Sequence, residues 1–122
     1  MKMFMILAAV LGFTAVATGA FGAHGLQGRV EPRMIEVWET AARYQMYHAL
    51  ALFVVAWMVQ QTQHTAANVA GWAFLGGVVL FSGSLYLMAL TGWKWLGPIT
   101  PIGGLAFLIG WASLAIAAFK GL

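Results

Sequence analysis

Read for the points where polar residues interrupt it, the chain falls into four apolar runs. Residues 3–23 are 21 positions without a charge, enough at ~1.5 Å per residue to cross about 30 Å of hydrocarbon. Residues 32–61 contain no Gly or Pro after Pro32, so nothing breaks a helix of ~45 Å. Only its later part, residues 49–59, is uniformly apolar. Residues 66–90 and 102–119 form the third and fourth runs. The pattern predicts an all-α, four-helix membrane bundle with short loops, spanning about residues 3–23, 44–61, 66–90 and 101–119, as one domain. The second helix is extended and amphipathic at its start.

The connections are marked by punctuation. Gly25 and Gly28 end the first helix, and Glu31-Pro32 opens the second, Pro sitting where its missing N–H is harmless. Gln60, Gln61, Thr62, Gln63 and His64 form a short polar link, which predicts an antiparallel hairpin. In residues 91–101, Trp93 and Trp95 flank Lys94 as an interfacial anchor, and Thr100-Pro101 reads as an N-cap followed by the first helical residue. Small residues recur three and four apart at Ala8, Gly12, Ala15, Gly19 and Gly22, and again at Gly103, Ala106, Gly110, Ser113 and Ala117. Such stripes let helix backbones approach closely. Ala73, Gly76 and Gly83 lie near one face of the third run.

Composition agrees. The 122 residues are 62% hydrophobic and 7% charged, against about 25% charged in soluble domains; a bilayer removes the burial problem. The net charge of +3 is spread thinly, so nucleic acid is not an expected partner. Without Cys there is no disulfide, thiolate metal site or Cys nucleophile. The first run also imitates a signal peptide, with Lys2 ahead of it and small residues around Ala20 and Ala23; numbered from Met1, it is read as a retained span. Lys and Arg number two with the termini (Lys2, Lys120) and four on the opposite side (Arg29, Arg33, Arg43, Lys94). The positive-inside rule therefore favours cytoplasmic first and third loops with the termini outside, although Lys2 beside an apolar run argues the other way.

Several segments together resemble the YgdD-type small membrane proteins of bacteria, which have vertebrate relatives and are classed as a domain of unknown function. They are Gly19-Ala-Phe-Gly-Ala-His-Gly-Leu26, Tyr47-His-Ala-Leu-Ala-Leu52, Leu80-Phe-Ser-Gly-Ser-Leu-Tyr86 continuing to Leu90-Thr-Gly92, and Ile99-Thr-Pro-Ile-Gly-Gly104 with Gly110-Trp111. The resemblance covers all four runs. It implies a four-helix protein of the bacterial inner membrane and carries no activity or catalytic residue with it.

The candidate chemistry is an intramembrane polar cluster. Steps of four place Glu36, Thr40, Tyr44 and His48 on one face. A neighbouring row carries Glu39, Arg43 and Tyr47, with Glu four residues before Arg in the favourable order for a helical ion pair. His48 lies ~18 Å inside Gln60, a depth at which ionisable groups are functional candidates. The alternative is a structural histidine bonded to Tyr86, Ser82 or a backbone carbonyl. His24 follows the first span, where it either caps the last carbonyls or joins His48 and Glu39 as a ligand. Ser82, Ser84 and Tyr86 add hydroxyls to the third span; the serines are expected to bond the carbonyl one turn back. The spacing of His24, Glu39 and His48 matches no metal motif. With no Asp there is no Ser-His-Asp set, so no metal, cofactor or enzymatic activity is expected. Two readings remain. One is a non-enzymatic accessory, scaffold or assembly protein that acts by helix packing, as a homo-oligomer or with another membrane protein. The other is a small oligomeric transporter or channel.

Overall fold

The computed structural model describes the backbone of residues 1–122 and every side chain except that of Ala23. Helix α1 is Lys2–Gly25 and α2 is Pro32–Thr62. The third run begins as α3, Thr65–Gly77, widens into a π-helical turn over Val78–Ser82, and ends as α4, Gly83–Thr91. After a 3-10 turn, Lys94–Leu96, helix α5 runs over Ile99–Gly121. The protein is thus an all-helical bundle. Three stretches are long and apolar enough to cross a membrane: Lys2–Gly22, Thr65–Thr91 and Lys94–Gly121.

Helix α2 falls outside that set and sits at the centre. Its buried positions include Trp38, Ala41, Gln45, His48, Leu52, Val55 and Met58. They follow spacings of three and four, and they touch all three apolar clusters of the bundle. The largest cluster joins Phe4, Leu52, Val55, Phe74 and Phe107. A second, at the opposite end, joins Leu26, Trp38 and Ala89, and a third joins Met58, Ala67 and Ala117. Of the polar side chains that make α2 the least hydrophobic helix, the others bury Gln45 and His48, while Arg33, Glu36, Arg43, Tyr44, Tyr47, Gln60 and Gln61 stay exposed.

Most positions of the two small-residue stripes are consumed inside the chain, while Gly12 has nothing within 4 Å of an added methyl. Ala8, Ala15 and Gly22 of α1 are buried; a methyl at Gly22 would run into the Trp38 indole, and one at Gly19 would come 3.9 Å from Ala42. On α5, Gly103 lies against the backbone of the π turn, and Gly110 receives the Phe74 ring. In return Gly77 of α3 receives the ring of Phe107. These reciprocal Phe-into-Gly contacts lock α3 to α5. In the third run the close-approach positions are therefore Gly71, which receives Phe4, and Gly77; nothing lies within 4 Å of a methyl placed at Gly76 or Gly83.

The loops differ from their sequence reading at two points. Helix α2 stops at Gln63, which takes a left-handed φ of 50° while its N–H bonds the Val59 carbonyl. His64 then caps α3, its ring Nδ1 accepting from the Ala66 N–H at 3.0 Å. Thr100 does not cap α5: the helix begins two residues earlier than Pro101, at Ile99, after Pro98. The Thr100 hydroxyl instead meets Ser84 Oγ at 2.6 Å, tying α5 to α4.

Candidate functional site

Helix α2 carries two buried polar residues, three positions apart, and they serve different neighbours. Gln45 faces α1 and α4. Its Nε2 donates to the Leu11 carbonyl at 2.9 Å and to Thr14 Oγ1 at 2.6 Å. A carbonyl can only accept, so this fixes the amide orientation and leaves Oε1 to accept from the Tyr86 hydroxyl at 2.8 Å. Tyr86 has one proton, now committed. Thr18 therefore donates to the Tyr86 oxygen at 2.9 Å and shares that proton with the Ala15 carbonyl at 3.1 Å. Thr14 hands its own proton back to Val10 O and Leu11 O. Trp38 Nε1 donates to the Thr18 carbonyl at 2.6 Å, with its ring edge-on to Tyr86 at 4.7 Å. Ser82, wholly buried, donates to the Ala41 carbonyl on α2 at 2.8 Å.

The π turn explains the Ser82 bond. An extra residue in one turn widens the helix and rotates the residues beyond it, and the Gly83 N–H reaches back five residues to Val78 O. Ser82 thus bonds across to another helix, whereas Ser84 keeps the local pattern and donates to Phe81 O at 2.9 Å.

His48 faces α5. It is 4% exposed, and its ring lies parallel to Phe107 with centroids 3.6 Å apart and planes 6° apart. The Trp111 indole N–H donates to Nε2 at 3.1 Å, and Nδ1 lies 2.7 Å from the Tyr44 carbonyl. An indole only donates and a carbonyl only accepts, so His48 is the neutral tautomer with its proton on Nδ1. Both ring nitrogens are therefore occupied. Selective ¹⁵N-histidine labelling in lipid is expected to show His48 with a protonated Nδ1 and an unprotonated Nε2, the Nε2 signal moving in Trp111→Phe. A signal from the other tautomer would contradict this arrangement.

The sequence-predicted residues thus separate. Tyr44, Tyr47 and His48 gather with Phe81, Phe107, Leu108 and Trp111 around an open groove of about 410 Å³ between α2 and α5. Tyr86 and Ser82 belong to the α1–α2–α4 side and do not reach His48. His24 and Glu36 are exposed at the bundle end, and Glu39 is half-buried. Arg43 donates to Thr40 Oγ1 at 3.2 Å rather than forming the expected pair with Glu39. Among the described residues no group of three His, Asp or Glu could hold a metal, so His24, Glu39 and His48 do not assemble. Thr14, Thr18, Trp38 and Gln45 were not singled out from the sequence. Two threonines four apart in an otherwise apolar helix, and a Gln seven residues after a Trp, were the available signals.

A bundle whose buried side-chain polar atoms are all partnered among the described residues, and whose outer surface is largely apolar, defines a small multi-pass membrane protein held together by interhelical hydrogen bonds. The chain belongs to the family described as "Protein of unknown function (DUF423)", whose model matches residues 18–104. It is 52% identical over 120 residues to UPF0382 membrane protein SAB0533 of Staphylococcus aureus (strain bovine RF122 / ET3-1), covering 98% of each chain. It is 48% identical over 121 residues to UPF0382 membrane protein YwdK of Bacillus subtilis (strain 168), again over 98% of each. No solved structure matches the chain.

Proposed function

We propose that this membrane protein is a non-enzymatic accessory protein that contacts another membrane-embedded helix laterally, through the aromatic groove between α2 and α5. The observation that carries this reading is the outward face of that groove. Tyr47 is 51% exposed and Tyr44 37% exposed. They pack edge to face at 5.5 Å beside His48, about halfway along α5 at the level of Trp111. Phenol groups set among apolar residues away from the bundle ends favour a hydrogen-bonding partner. Most of both small-residue stripes is used within the chain, Gly12 being open, and this reading puts the partner surface at the tyrosines.

The reading includes four spans, with α2 crossing the bilayer packed against the other three. It also includes kinship with the YgdD-type proteins, a bacterial inner-membrane location, and cytoplasmic first and third loops on the Lys and Arg distribution. A transport role draws less support. His48 has both nitrogens engaged within the chain, and Ser84 is bonded to Phe81 and Thr100, so neither offers a solute a free donor.

A photo-crosslinking benzoylphenylalanine placed at Tyr47 or Leu108 and irradiated in native membranes, which needs only a C–H bond on the partner, is expected to give one discrete adduct. The same group at the α1 position Phe13, 77% exposed on another face, should give none. Monomer alone from the groove positions, or the same adducts from every position, would overturn the proposal.

A further inference from the structure

A second crevice lies far from the aromatic groove, where the α1–α2 turn meets the α4–α5 turn. It has about 530 Å³ of space lined by Glu31, Arg33, Met34, Met88, Lys94 and Gly97. A second lobe of about 400 Å³ shares Glu31, Met34 and Lys94 and continues along Ala89 and Leu90. Two cations and one carboxylate therefore line a cleft whose walls are methionine and aliphatic. The charges are not spent on side-chain hydrogen bonds among the described residues. Gly92, at φ 73°, ends α4 and turns the chain so that Lys94 stands over the cleft. The stacked, exposed Trp93 and Trp95, 5.8 Å apart, mark this end as the headgroup level of a bilayer.

We propose that this crevice binds a phospholipid with a primary ammonium in its headgroup, independently of the groove and its partner. Arg33 and Lys94 take the phosphodiester, whose geometry and charge suit a guanidinium and an ammonium. Glu31 takes the lipid ammonium, and Met34, Met88 and Leu90 receive the first methylenes of an acyl chain. A phosphatidylglycerol head presents the same phosphodiester to the two cations but only neutral hydroxyls to Glu31, where an ammonium gives the carboxylate a charge-assisted hydrogen bond. The mixed signs of the lining therefore select a zwitterion over an anionic lipid. A choline head, whose nitrogen carries no N–H, loses the hydrogen bond to Glu31.

The test is native mass spectrometry of the full chain in detergent with dioleoyl phosphatidylethanolamine, phosphatidylcholine and phosphatidylglycerol, matched in their acyl chains. One saturable lipid adduct is expected, with phosphatidylethanolamine retained about tenfold better than the other two, the fold-change of one charged hydrogen bond. Glu31→Gln should bring it down to the phosphatidylcholine level. The double variant Arg33→Gln/Lys94→Gln should weaken all three about tenfold or more. These side chains are exposed, so folding should be spared, which an unchanged melting profile verifies. Equal retention of the three lipids, unaltered retention in the double variant, or complete displacement by millimolar inorganic phosphate would each overturn the proposal, the last by showing a free-phosphate site.

Discussion

Gly103→Ala is expected to destabilise the bundle more than any other single-methyl addition. An added Cβ at this position would meet the backbone of the π turn, Phe81 N and Cα and the Leu80 carbonyl carbon, the last at 2.8 Å. Backbone cannot rotate out of the way as a side chain can, so α5 and the α3–α4 helix must separate. Overpacking costs about 1–3 kcal/mol or more, and a rigid obstacle places this site at the top of that range. The ~1 kcal/mol gained by replacing Gly with Ala in a helix does not offset it. The neighbouring residue is the control: a methyl at Gly104 would sit 3.9 Å from Phe81 Cδ2, in ordinary contact, and Gly104→Ala should be neutral or stabilising. Thermal unfolding in detergent, read by size-exclusion fluorescence, distinguishes the two. Indistinguishable melting of the two variants would show that α5 does not press closely on the π turn.

The second large effect is expected at Gln45. Gln45→Leu fills nearly the same volume, yet it strips the Tyr86 hydroxyl of its acceptor and Thr14 of its donor. Orphaning buried polar groups costs about 1–3 kcal/mol each. Measured interhelical hydrogen bonds in membranes are smaller, averaging about 0.6 kcal/mol, because an unfolded chain in lipid also finds partners. A loss of ~2 kcal/mol is therefore expected for Gln45→Leu and less for Tyr86→Phe, which leaves the Gln45 amide bonded to α1. Steric-trap or SDS unfolding of both singles and the double should reveal a coupling of about 1 kcal/mol. Additivity within ~0.3 kcal/mol would mean that the two side chains do not share a bond.

The helices were legible because hydropathy and punctuation are local. The absence of Gly and Pro after Pro32 defines α2, and residues 60–64 mark its hairpin. The π turn was not legible, since Val78-Val-Leu-Phe-Ser82 reads as any apolar helix and the contacts that accompany its widening, the Gly103 approach and the Ser82 bond to α2, are distant in sequence. The polar cluster was half legible. The row Glu36, Thr40, Tyr44, His48 was visible from spacing, and its local bonds, Thr40 to Glu36 O and His48 to Tyr44 O, do form. The adjacent row through Trp38, Ala41 and Gln45 carries the stronger network but has partners 20 to 41 residues away. Spacing along one helix cannot reveal those. Pairing His48 with Tyr86 or Ser82 failed for the same reason: Gln45, about 60° round α2 from His48, takes the Tyr86 hydroxyl, and the Ala41 carbonyl takes Ser82.

The central place of α2 bears on how the molecule is made. A ribosome delivers α1 to the insertion machinery first, and α1 is oily enough to move into lipid unaided. The next segment is not, because its amide, imidazole and phenols would meet hydrocarbon before any of the later helices exist. Gln45 finds the Leu11 carbonyl and Thr14 on α1 at once, so the two can enter as a matched pair. His48 must wait until Trp111, 63 residues further along the chain, has been translated. The nascent protein thus has the α1 contacts of α2 available early, those from α3 and α4 later, and the Trp111 bond to His48 only near the end of synthesis.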